Sequence, residues 1–143
     1  MADITAACIA KLKATSAVTS VIGSGSDARA WPDKIKELST RYPCCVVMRT
    51  SGGQDMTLQG ASGLEHAMIE VESWAETRAA ADSLDAAVVT ALTAGVKPTW
   101  GTVYLSECTA QLGSRDSGES PDATGGDKSA YWARTAFQVW YAA

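Results

Sequence analysis

The sequence predicts an α+β fold: a four-stranded, mainly antiparallel sheet with two main helices packed on one face, in the order α-β-β-α-β-β. Three observations predict it. From Glu65 to Trp74 the chain alternates, with His66, Met68, Glu70, Glu72 and Trp74 on one side and Ala67, Ile69, Val71 and Ser73 on the other; this is the period of a half-buried strand. The period then changes. Ala80, Leu84, Ala87, Val88, Ala91 and Leu92 recur at steps of three and four, as on an amphipathic helix. Near the end, Tyr131, Ala133, Thr135, Phe137, Val139 and Tyr141 oppose Trp132, Arg134, Ala136, Gln138 and Trp140, a second long strand.

The remaining elements follow in chain order. Asp3 is a suitable N-cap for a first helix carrying Ile4, Ala7, Cys8 and Leu12 on one face, and Val18, Val21 and Ile22 add a short turn. Gly23-Ser24-Gly25-Ser26-Asp27 is a loop by composition. Arg29-Ala30-Trp31-Pro32 is extended, because the residue before a proline avoids the helical region. Residues 33–38 have the pattern of one or two helical turns. Pro43-Cys44-Cys45-Val46-Val47-Met48-Arg49-Thr50 reads as a strand apolar on both faces at its centre, hence inside the sheet. Residues 51–63 interrupt the pattern and are long for a hairpin connection, so they read as a long hairpin arm. Gly95 ends the second helix, and residues 96–100 connect it to a third strand over 102–112. Residues 113–128, rich in Gly, Ser and Asp, read as a mobile loop. No repeat and no linker divides the 143 residues, so 1–143 is expected to be a single domain.

Composition narrows the function classes. The formal net charge is −4 and the basic residues are scattered, which disfavours a surface built to grip nucleic acid. No run of about 18 apolar residues marks a membrane span, and the N-terminus lacks the basic-then-apolar order of a secretory signal. Of the four cysteines, Cys44 and Cys45 are neighbours in an apolar run. They read as buried free thiols in a reducing compartment.

Catalytic chemistry finds little footing. His66 is the only histidine, so a single chain cannot supply a catalytic triad or a multi-histidine zinc site. There is no Cys-x-x-Cys pair and no Gly-x-Ser-x-Gly elbow. Gly125-Gly126-Asp127-Lys128-Ser129 lacks the upstream glycine of a phosphate-binding loop, and a strand follows where a helix should. Glu70 and Glu72 share a strand face, which solvated sheet charges explain more simply than a glycosidase pair. The expectation is no catalytic, cofactor-binding or metal-binding residue, and no cofactor.

Taken in order, the motifs resemble the small tail completion proteins, or tail terminators and head–tail joining proteins, of long-tailed phages, prophages and gene-transfer particles. The likeness spans nearly the whole chain. It rests on Arg29-Ala30-Trp31-Pro32 after the first helix, on Tyr42-Pro43-Cys44-Cys45-Val46-Val47, and on the glycine-punctuated hairpin Leu58-Gln59-Gly60-Ala61-Ser62-Gly63. The strand-to-helix junction Val71-Glu72-Ser73-Trp74-Ala75-Glu76-Thr77 and the closing Arg134-Thr135-Ala136-Phe137-Gln138-Val139-Trp140-Tyr141 complete it. Residues 113–128 form a longer segment than that family usually carries.

The resemblance implies a structural virion protein without catalysis. It would form a ring, usually of six subunits, at the head-proximal end of the tail after synthesis in the bacterial cytoplasm. The ring would cap the tail tube, stop its polymerisation and meet the head connector, with DNA passing through the lumen unread and no membrane involved. The partner or subunit interface is expected at Gln54, Asp55, Met56 and Leu58 of the arm, at Arg115, Asp116 and Glu119 of the loop, and at Trp132, Arg134 and Trp140 of the last strand. The rivals are another neck or head-closure adaptor ring and a small cytosolic ligand-binding α+β domain. An apolar pocket with converging polar groups would favour the latter.

Overall fold

Asp3 caps the first helix as its residue type suggests, its carboxylate accepting the Ala6 N–H at 3.0 Å. The computed structural model describes residues 3–23, 25, 28–33, 42–57, 60–95, 98–111, 116–121 and 129–142, side chains excepted at 53–57, 60–62, 120–121 and 129. The elements are α1 (Ile4–Lys13), α2 (Ser16–Ile22), β1 (Ala30–Pro32), β2 (Cys44–Thr57), β3 (Gly60–Ala75), α3 (Arg78–Leu92), β4 (Thr99–Trp100), β5 (Val103–Ala110), β6 (Asp116–Pro121) and β7 (Ser129–Ala142). The helical turns expected at 33–38 fall, after Asp33, outside the described residues.

The α+β class holds, but the four-stranded sheet, its simple order and the two-helix count do not. Seven strands form one sheet in the order β1-β2-β3-β7-β5-β4, with β6 also on β7, and the described residues include three helices. The extra strands had no periodic signal to betray them. β1 and β4 span three and two residues, too short for alternation to show. β6 lies where the composition predicts a loop. Its Asp-Ser-Gly-Glu-Ser-Pro is poor in strand-forming residues, and the neighbouring β7 supplies the ladder from Asp116↔Arg134 to Pro121↔Ser129.

β2 also runs seven residues beyond Thr50, through the glycines that suggested a break. It does so with bulges between Arg49 and Ser51 and between Gln54 and Met56. Just past the first bulge Gly52 has φ +153°, and a Cβ there would collide with the His66 carbonyl, so the glycine is what lets the strand continue.

All pairings in the sheet are antiparallel except β1 with β2. The three helices lie on one face. α3 packs on β3 and β7, and α1 touches β1 and β2 near one end of the strand order and β4 at the other, so the sheet curls around α1. Into this concave side point Cys45, Val47, Ala67, Ile69, Val71, Phe137, Val139 and Tyr141, against Ile4, Cys8, Leu12, Val18, Ile22, Leu84, Val88 and Leu92. Trp100 is fully buried at the rim of this core and donates its indole N–H to the Leu92 carbonyl at 3.1 Å. A buried polar link joins helix to sheet, the Thr135 hydroxyl donating to Asp85 at 2.8 Å.

A candidate assembly surface on the open sheet face

The alternation that buries one face of β3 and β7 turns every second side chain to the other face, on which none of the described helices packs. Cross-strand register arranges these side chains in rows. One row runs Cys44, Trp74, Trp132, Gly118 across β2, β3, β7 and β6, and the next runs Val46, Glu72, Arg134, Asp116. Further along, Met68 faces Gln138, and His66 faces Trp140 and then Glu107.

Aromatic pairs stand at both ends. Tyr42 stacks near Trp74 with ring centroids 6.4 Å apart, and His66 lies 4.9 Å from Trp140 in a tilted arrangement. Between them Arg134 forms the electrostatic hub. Its guanidinium lies 3.3 Å from Asp116 and 3.9 Å from Glu70, and sits 5.3 Å over the Trp132 ring. Burial pushes the Glu72 carboxyl above its ordinary range, Arg134 pulls it back, and Glu70 raises it further.

The interface residues expected from sequence thus separate. Trp132, Arg134 and Asp116 come together on this face, Trp140 lies at its far end, and Glu119 is exposed on β6 opposite Tyr131. The side chains of Gln54, Asp55 and Met56, and the whole of Leu58 and Arg115, lie outside the described residues. Sequence reasoning did not assign Tyr42, His66 and Trp74 to this surface. The alternation around Trp74 was visible, but that Tyr42 folds onto it follows only from the pairing of β2 with β3.

Burial pushes the thiols of Cys44, Cys45 and Cys108 up to about 12, so they stay protonated, whereas a nucleophilic cysteine must be a thiolate. All four cysteines are free. Among the described residues no group of three or more His, Cys, Asp or Glu side chains is placed to hold a metal ion, and no helix is long and apolar enough to cross a membrane. A shallow concavity between the α1–α2 turn and α3 is lined by Lys11, Thr15, Ala17, Ala87, Thr90 and Ala91; apart from Lys11 these are small side chains, and together they offer no converging set of polar groups.

The chain's fold matches that of a chain from the virion of a native gene transfer agent (GTA) particle, with a TM-score of 0.68 and 17% sequence identity over 98% of this chain and 95% of that one. At that identity the likeness is one of fold. No curated protein matches the sequence. The family described as tail completion protein gp17 matches residues 6–124, from the middle of the first turn of α1 past the end of β6. The chain belongs to the tail completion protein gp17 family.

Proposed function

We propose that the chain is a structural virion protein that forms a ring, of six subunits, at the head-proximal end of a phage-like tail. There it caps the tail tube, stops further addition of tube subunits and joins the tail to the head connector. Family membership and the likeness to a chain of a gene transfer agent virion support this placement. The observation that carries it in this chain is the two-sidedness of the sheet. One face is packed against the helices, and the other, on which none of the described helices packs, carries four half-buried aromatic residues around an ion-pair hub. Apolar area of that kind is stabilised by a partner at roughly 25 cal/mol per Å² removed from water.

The β2–β3 ladder adds a second contact. β3 pairs with β7 only as far as Leu64↔Ala142, whereas β2 and β3 stay paired out to Thr57↔Gly60. Beyond Leu64 the hairpin is therefore a two-stranded arm with no further strand beside it among the described residues. Such an arm suits a contact with the tube or a neighbouring subunit. The acidic chain keeps DNA from sticking as it passes through the lumen.

The test is native mass over a concentration series with electron micrographs of the same sample, alone and with tail tubes. Closed rings, or caps on tube ends that halt tube growth, are expected. A protein that neither closes into rings nor arrests tube growth overturns the proposal.

A further inference from the structure

We infer that neighbouring copies join by strand addition, the open outer edge of β2 in one copy pairing antiparallel with the open outer edge of β5–β6 in the next. This rests on the ring proposed above and names the contact that closes it. The two outermost strands are short. β1 covers β2 only over Cys45–Val47, with the Asp33 N–H adding a bond to the Val47 carbonyl, and β4 covers β5 only at Val103 and Tyr104. The alternation that turns the amides of Cys45 and Val47 toward β1 turns that of Arg49 the same way, where no described strand meets it. On the opposite side, β5 and β6 follow one another along the same edge of β7, and the Gln111 N–H carries β5 one residue further along it by donating to the Ala136 carbonyl at 2.8 Å. They act as one interrupted strand whose outer edge beyond Tyr104 meets no described neighbour.

Polarity makes these edges complementary. β2, β3, β7 and β5–β6 alternate in direction, so the first and last of the four run oppositely. Copies related by rotation about an axis along the strands therefore bring β2 of one against β5–β6 of the next as an antiparallel pair. The two edges are different surfaces, as a heterologous contact repeated around a ring requires. A β2–β2 pairing would instead stop at a two-fold dimer.

The open stretches are also diagonal. β1 blocks the end of β2 that pairs near Trp74, while β4 blocks the end of β5 that pairs near Tyr141. Joined copies are then staggered along the strands, as strands are in any closed cylindrical sheet. Both edges are blunted in the lone chain. β2 is bulged, and the Ser117 N–H is taken by its own neighbour, the Asp116 carboxylate, at 2.9 Å. That favours pairing with a matching edge over indiscriminate aggregation.

Hydrogen exchange on the wild-type protein, free and assembled, reads this contact without a mutation. Amides at 48–52 and 117–119 are expected to slow by on the order of tenfold or more on assembly, while those on α3 stay unchanged. Assembled rings in which both stretches exchange as in the free chain would overturn strand addition and leave the ring standing. A wild-type chain that never assembles, alone or on tube ends, overturns both. Arg49→Pro and Glu119→Pro remove one outward N–H from each edge; each is expected to leave the helical circular dichroism intact and abolish rings. Folded variants that both still form rings also overturn the contact.

Discussion

The two faces of one sheet differ more than any two elements of this molecule. On the helix side of β3 and β7, Ile69, Val71, Thr135, Phe137 and Val139 have no exposed surface. One residue along in each strand, Met68, Glu70, Glu72, Trp132, Arg134 and Trp140 are all half-buried. The same backbone, ladder and sequence stretch produce both, separated only by the pleat. The difference teaches that folding is satisfied from one side. The large apolar groups on the other side are beyond what the core uses, and the ion pairs among them are arranged rather than scattered.

Truncating one side chain on each face breaks this comparison most directly. Phe137→Ala should lower unfolding free energy by about 3–5 kcal/mol, the cost of a cavity in a packed core. Trp140→Ala removes a larger ring yet should cost under about 2 kcal/mol, since part of that ring is already in water. Urea unfolding of the monomer measures both. Equal losses would make the open face part of the core and remove the reason to regard it as a contact surface. Trp140→Ala should instead weaken assembly.

The contrast between the faces was legible in the sequence, because alternation over ten or more residues has one physical cause. That period alone sorts His66, Glu70 and Glu72 from Ile69 and Val71. What alternation cannot say is which face meets the helices when both carry large apolar groups. Trp132 and Trp140 left that undecided, and the packing of α3 on β3 and β7 resolves it. Trp100 escaped altogether. It sits two residues after a proline in a segment without period, and its burial comes from the curl of the sheet around α1, a long-range property. β6 was misread for the complementary reason: its residues disfavour a strand, and a strong neighbour, β7, overrides them.

A second, smaller test sharpens what the covered face depends on. A buried hydrogen bond between helix and sheet side chains there joins Thr135 to Asp85. Thr135→Val keeps the shape and deletes the donor, and should cost about 1.5–3 kcal/mol, the range for a hydrogen bond to a charged group. The corresponding deletion on the open face is Arg134→Ala, which removes ion pairs that are a third or more exposed at Arg134 and Asp116. It should cost about 1 kcal/mol or less and shrink further in high salt. Thermal unfolding in low and high salt separates the two, since the Thr135 effect should not depend on salt.

The smallest effect tests the open face through protons. Burial raises the Glu72 carboxyl in the folded chain, so in the carboxylate range the folded state binds more protons than the unfolded one. Stability then falls as pH rises from the unfolded value through the raised folded value, and the penalty is complete above both. Glu72→Gln lacks that penalty. Relative to the wild type it should gain stability as pH rises through this window and hold the gain at neutral pH, measured as urea midpoints from pH 3 to pH 7. A variant that loses stability at neutral pH would mean that attraction to Arg134 outweighs the cost of burial. The hub would then stabilise the monomer, and the open face would be less dependent on a partner than its half-buried charges suggest.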